Sequence, residues 1–412
     1  LIALNMVYGR QLVKKSTKKG SITIWGSDSY SWKKEIRKED IIAFQKVHPA
    51  SFLEREKDFE PLFNFCRVIS ESFDRVLFFS RREVAEWIKS FLELGGPELP
   101  GRFLIFDDTQ EDLLFKFRES FNGESVLIVF LGRKNDEFKL LPFVFFFNEW
   151  EKAFVGVERG IFAEIARLAF CPFFPAKLEQ GSFWHYSEFL YIPLCCAGLK
   201  MNVHELEEGF WWMQEAGKEV TIFCALVLHS FLKNNYRIFF IAEDSFSFNL
   251  VSGLRPLFEK ISWGEKSFFL QISDVQQFGE TFLEAIDRGN RCLVFFIKRE
   301  NTDSGFDLQI KFPNKFKGSL FWESTFSPLH RRTYHLIKGA LFASLEELLL
   351  EKSIPYACLF VEGKPFFSAG ILGSFLQDLA CYLGFLNGVN LLEEPHPSFW
   401  CRNFWQHLQG GR

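Results

Sequence analysis

The turn Leu131-Gly132-Arg133-Lys134-Asn135-Asp136 sets one glycine and two adjacent cations ahead of an expected helix. Such a turn could hold an anion by charge rather than by an enclosing shape. The same residues also read as an exposed basic turn whose helix is capped by Asn135 or Asp136. A second turn, Ser80-Arg81-Arg82-Glu83, lacks the glycines that let backbone amides close around a phosphate. The sequence holds no GxSxG elbow, P-loop, GxGxxG fingerprint or HExxH helix, so serine hydrolases, nucleotide hydrolases, dinucleotide enzymes and the common zinc proteases have no support. His330 and His335 are five apart, which does not place them on one helical face, and the acid pairs Glu207-Glu208, Glu346-Glu347 and Glu393-Glu394 are adjacent rather than facing. The acid pairs read as solvated helix faces or loops. No metal site and no cofactor is expected.

The elements that would position that turn come from the alternation of apolar runs. Val76 to Phe79 reads as a strand, Arg82 to Leu94 as the helix after it, and Gly95-Gly96-Pro97 as that helix's stop. The strand Phe103 to Phe106, the helix Glu111 to Ser120, the strand Ser125 to Leu131 and a helix through Leu140 to Trp150 continue the pattern. After a helical stretch from His204 to Lys233 the alternation resumes with the strand Arg237 to Ile241 and the helix Asn249 to Lys260. Later strands are Phe268 to Ile272, Cys292 to Ile297 and Ala357 to Val361, with Arg299 to Gly318 read as an exposed loop. The expected fold is α/β, with two tandem doubly wound parallel-sheet domains over residues 60–200 and 201–385. An N-terminal arm (1–59) and a helical C-terminal tail (386–412) flank them. The lysines at 14, 15, 18 and 19 are read as solvated.

Composition bounds the partners. The 412 residues carry 48 Lys+Arg against 52 Asp+Glu spread along the chain, which leaves no basic face for nucleic acid and no basic tail for a membrane surface. Apolar stretches such as Phe189 to Leu199 and Thr221 to Leu232 are too short to span a bilayer, and the start of the sequence has no signal-peptide layout, so a soluble cytoplasmic protein is expected. Nine cysteines without a CxxC pair fit a reducing compartment better than a disulfide framework. The 54 phenylalanines, including Phe145-Phe146-Phe147, are read as core filling.

Several segments in the second half carry a family resemblance, in order. Phe174 through Trp184, followed by Ile192 to Gly198, resembles a Gly-Gly-Arg-Tyr/Phe-Ser signature and the Leu-Pro-Ile-Ala-x-x-Gly pattern after it, and Met201 to Gly209 continues it. Ile261-Ser-Trp-Gly-Glu265 is similar to a strand end that introduces a catalytic base. Leu341 to Leu348 resembles the helix near a Gln-Thr-Glu-Ala-Leu motif, and Gly388-Val-Asn390 the start of a C-terminal signature. Together they resemble the phosphoglucose isomerase family, whose fold is two sugar-isomerase (SIS) domains. The first half fits by its strand and helix pattern.

The resemblance implies an aldose to ketose isomerisation of a sugar phosphate, and with it a list of groups. The family's Ser/Thr-rich phosphate loop corresponds to Gly132-Arg133-Lys134-Asn135, without a hydroxyl, and its Gly-Gly-Arg arginine falls on Ser182 after Gly181. Its base corresponds to Glu265. No histidine lies between His229 and His330, where the family supplies its ring-opening histidine. Its C-terminal lysine falls on Cys401, one position before Arg402. The first reading is therefore a catalytically degenerate member with a binding or structural role, its cleft made more apolar by residues such as Phe183 and Phe268-Phe269. An active isomerase is the alternative, with Glu265 as base and Arg133, Lys134 and Arg402 as replacement cations. A sugar-phosphate-sensing module acting through a protein partner is the third. The expected ligand is a sugar phosphate and the expected assembly a homodimer, since the aromatic-rich stretch Phe399-Trp400 to Phe404-Trp405 suits burial between copies; packing within one chain is the alternative.

Overall fold

A strand covered by helices on both faces must be apolar throughout, and Val76–Phe79 and Val126–Leu131 are buried along their whole length. The computed structural model describes residues 10–26, 59–95, 101–110, 116, 124–133, 136–176, 187–261, 267–271, 291–301 and 334–389. The chain divides into a unit of residues 48–208, 253–261 and 380–412 and a unit of residues 1–47, 209–252 and 262–379. The chain begins with β1 (Arg10–Ser16) and β2 (Gly20–Gly26), a hairpin of the latter unit.

In the former, α1 (Glu60–Ser72), β3 (Arg75–Ser80), α2 (Arg82–Leu94), β4 (Phe103–Asp107) and β5 (Val126–Leu131) follow the expected order. Residues 111–115 and 117–123, which hold most of the helix expected over Glu111 to Ser120, lie outside the described residues. The next helix, α3 (Glu137–Phe146), begins earlier than expected and stops before Trp150, because β6 (Glu151–Gly156) starts there. α4 (Ile161–Ala169), the three-residue β7 (Phe173–Pro175) and α5 (Glu188–Cys196) complete the unit's main elements. The sheet is parallel throughout, in the order β4-β3-β5-β6-β7. Phe79, Phe130, Phe147, Phe154 and Phe162 pack in one core cluster, so these phenylalanines do fill the core. Of the run Phe145 to Phe147 only Phe147 is buried.

Phe170, which ends α4, is 95% exposed and sits in the left-handed region at φ 54° and ψ 35°. A side chain with a Cβ is strained there, and this one recovers nothing through burial. Phe170→Gly is expected to raise stability by about 0.5–1 kcal/mol, read as the urea midpoint, after allowing for glycine's own entropy.

A long helical stretch follows, α6 (Lys200–Trp212), a π-turn at Met213–Gly217 and α7 (Lys218–Lys233), matching the stretch expected from His204 to Lys233. Then come β8 (Arg237–Ala242), α8 (Ser245–Gly253), α9 (Arg255–Lys260), β9 (Ser267–Gln271), β10 (Cys292–Asn301), α10 (Tyr334–Glu351), β11 (Tyr356–Gly363) and α11 (Pro365–Leu386). The single helix expected over Asn249 to Lys260 is thus two. Asp244 accepts the Ser247 amide at 2.9 Å and starts the first one early, and Pro256 brings no amide of its own to continue it.

The second sheet runs β1-β2-β11-β10-β8-β9, with β8 to β11 parallel and the hairpin antiparallel. Part of the expected N-terminal arm is therefore a pair of strands extending this sheet, anchored by Ile22 and Ile24 in the core and by the Ser21 hydroxyl donating to Glu362. Lys14, Lys18 and Lys19 are exposed as expected, while Lys15 pairs with Glu219 at 2.8 Å. Strand β10 runs on to Asn301, so Arg299 belongs to the sheet and not to the expected loop; residues 302–318 lie outside the described residues.

Both parallel sets share one order: the second strand lies on one side of the first, the third and fourth on the other. This is tandem doubly wound architecture. Gly209 of α6 has no Cβ because the Phe367 carbonyl occupies that space. Helix Pro365–Leu386 is long and apolar enough to cross a membrane, but 83% of its most apolar window is buried inside the protein, as befits a core helix. Its residues Ser374 and Asp378 accept from Nε2 of Gln214, which lies in the π-turn, at 2.8 and 2.6 Å.

Candidate functional site

In a doubly wound sheet the crevice opens at the carboxyl ends of the two strands whose connections run in opposite directions. In the first sheet these are β3 and β5, paired to their last residues at Ser80 and Leu131. The turn after β5 is the Gly132-Arg133 turn singled out from the sequence. Arg133 donates from Nε to Asp136 and from a terminal nitrogen to Glu83 at 3.3 Å. Burial works against its charge, but Asp136 and then Glu83 outweigh it and hold the guanidinium above its ordinary pKa. Asp136 does not cap α3 as expected: its backbone is helical and its carboxylate turns to Arg133 instead.

The neighbouring strand end is closed in the same manner. Asp108, just past β4, accepts the Arg82 amide at 3.0 Å and pairs with Arg81 Nε at 3.1 Å. The amino end of α2, where an anion would be drawn, already carries a carboxylate. Asp107 holds Thr109 through its amide, at 2.9 Å, and its hydroxyl.

Glu137 begins α3 and is 1% exposed. Its oxygens accept the amides of Val157 and Phe162, each at 3.2 Å. Burial pushes its pKa up to about 7, against those backbone hydrogen bonds. A Cβ at Gly156 or Gly160 would collide with its carboxyl, and one at Gly132 with the Phe162 ring. Gly156 and Gly160 thus leave room for the anchored carboxyl group, and Gly132 for the Phe162 ring.

The crevice of the second sheet lies between β8 and β10, which pair to Ala242 and Ile297. Two residues beyond that register, Arg299 takes the place that Arg133 has in the first sheet. Its side chain is 3% exposed, 3.6 Å from Asp244, over the Phe246 ring, and donates to the Pro365 carbonyl at 3.2 Å. Burial lowers its pKa and Asp244 opposes that. Beside it Lys298 and Glu346 are both buried, so Glu346 does not lie on a solvated helix face.

Of the residues selected from the sequence, Gly132 and Arg133 stand at the first crevice. Lys134, Asn135, Gly181, Ser182, Glu265 and Arg402 lie outside the described residues. The sequence reading missed Glu83, Asp108 and Glu137 as site residues. Its available signal was the placing of acids in the first positions after strand ends. Among the described residues no cluster of His, Cys, Asp and Glu is arranged to hold a metal ion.

The sequence matches no family profile and no curated protein. Among solved structures the chain is similar to a hypothetical protein from Thermus thermophilus, with TM-score 0.70 and 17% identity over 90% of this chain and 93% of that one. It is also similar to a glucose-6-phosphate isomerase from Chlamydia trachomatis, with TM-score 0.61 and 13% identity over 85% and 72%. The fold is that of the SIS-domain phosphosugar isomerases. A putative phosphosugar isomerase from Bacillus subtilis adds a further SIS likeness, with TM-score 0.50 and 10% identity over 81% and 95%. At these identities the likeness is one of SIS architecture.

Proposed function

We propose that this SIS-fold chain is a divergent relative of glucose-6-phosphate isomerase that keeps the scaffold without its ordinary turnover, with a binding or structural role. The commitment of Arg133 to Glu83 and Asp136 carries this reading. Isomerisation needs a cation free to meet the phosphate or the enediolate, and a cation already matched by two carboxylates offers little to either. Loss of one preorganised donor lowers turnover by roughly 10²- to 10³-fold. Glu137 has a pKa suited to proton transfer, but its oxygens serve Val157 and Phe162, so it holds the loop instead of facing a substrate.

The test is a coupled assay on the full chain with glucose 6-phosphate and with fructose 6-phosphate. Turnover is expected to equal that of the heat-denatured control. A clear rate that disappears in Glu265→Gln would establish the active isomerase instead.

A further inference from the structure

On the first unit, away from the strand ends that form its crevice, α1 and the last turn of α5 border a cavity of about 620 Å³. Cys66 of α1 and Cys195 and Cys196 of α5 line it, though each is at most 4% exposed. Cys195 and Cys196 are the neighbours that act on the Cys66 thiol; that thiol donates to the Ile192 carbonyl at 3.6 Å, and the Cys196 thiol donates to the Cys66 carbonyl at 3.9 Å. Cys224, Cys292 and Cys358 are also buried, and burial is the leading influence on each. Space-filling explains a lone buried cysteine. It does not explain three neighbouring thiols on the lining of one cavity, whose wall carries Arg67, Arg102 and Lys200 against Glu71 and Asp74.

We propose that Cys66, Cys195 and Cys196 form a thiol–disulfide site that reacts with a small anionic disulfide admitted by this cavity. In the first step Cys195 or Cys196 gives up its proton to solvent, and its thiolate attacks one sulfur of the incoming disulfide. A mixed disulfide forms and one small thiolate leaves, taking up a proton from solvent. Cys66 then gives up its proton to solvent and attacks the protein sulfur of the mixed disulfide, which closes a Cys66 bridge and releases the second small thiolate. Two protein thiols are oxidised by two electrons, and one small disulfide is reduced to two thiols. The neighbouring Cys195 and Cys196, and then burial, push the Cys66 thiol well above its ordinary pKa, which suits a resolving thiol better than an attacking one. The bridge would tie α1 to the end of α5.

The experiment treats the folded full chain with oxidised glutathione, blocks remaining thiols by alkylation and maps the digest by mass spectrometry. The expected product is a peptide pair joining Cys66 to Cys195 or Cys196, formed before Cys224, Cys292 or Cys358 is modified, with a higher unfolding midpoint in the oxidised protein. In Cys66→Ser the bridge is lost and the glutathione adduct accumulates on Cys195 or Cys196. The proposal is overturned if the three thiols react only when denaturant has unfolded the chain, or no sooner than Cys224. The wild-type map decides this even if Cys66→Ser fails to fold.

Discussion

Gly160→Ala is expected to destabilise the chain by roughly 2–4 kcal/mol, read as a fall in the urea midpoint at unchanged slope. The backbone at Gly160 has φ −92° and ψ 178°, which alanine adopts without strain, so the whole effect comes from the added Cβ. That Cβ would occupy the place of the Glu137 carboxyl. The carboxyl must move, and the amides of Val157 and Phe162 lose a partner in a buried setting. Each unsatisfied buried donor costs about 1–3 kcal/mol. A cost under about 1 kcal/mol would mean that Glu137 does not anchor the loop around the crevice.

Asp378→Asn is expected to act with the opposite sign, by an amount that grows from pH 3.8 to about 7. Burial raises the Asp378 pKa from 3.8 to about 7, against the pull of Gln214 and Lys218. Between those values the folded chain holds a proton that the unfolded chain has released. The contribution to stability is therefore full below pH 3.8 and is lost as pH rises to about 7, beyond which the fold carries a buried charge. Asparagine keeps an acceptor for Gln214 and has no charge to bury. Urea unfolding at pH 5 and pH 8 should show the variant's advantage over wild type larger by roughly 2–3 kcal/mol at the higher pH. Equal differences at the two pH values would show that Asp378 does not titrate in this range. Glu137, also raised to about 7, adds to the wild type's decline in the same direction.

The strands that were legible in the sequence are those buried on both faces, such as Val126–Leu131 and Cys292–Ile297, because an unbroken apolar run is a local signal. Short or half-polar strands were not. β6 has only Ala153 to Val155 as its apolar centre, and β7 is three residues long. The hairpin was hidden by its lysines, which stand on its exposed positions beside Ile22 and Ile24. The site was legible as far as the Gly132-Arg133 turn. Its partners were not, since Glu83 is fifty residues from Arg133 in the chain, and Asp108 reaches Arg82 from the end of a different strand. Strand order brings these groups together, and spacing along the sequence carries no trace of that. Asp136 was one of two residues, with Asn135, read as a helix cap because its local position fits one; Arg133 competes for the carboxylate and takes it.

The cation of the first crevice is neutralised from within by Glu83 and Asp136, and an anion titration can show it. Thermal unfolding of the wild type and of Glu83→Gln/Asp136→Asn would be followed with added inorganic phosphate and with glucose 6-phosphate. A ligand at a hundred times its dissociation constant stabilises a single site by about 2.7 kcal/mol, so millimolar additions reveal even weak binding. The wild-type midpoint should not move with phosphate. The double variant, with Arg133 left without its two carboxylates, should unfold earlier and recover as phosphate is added. A wild-type midpoint that rises with phosphate or glucose 6-phosphate, and stops rising in Arg133→Ala, would show instead that Arg133 binds the anion despite its two carboxylates.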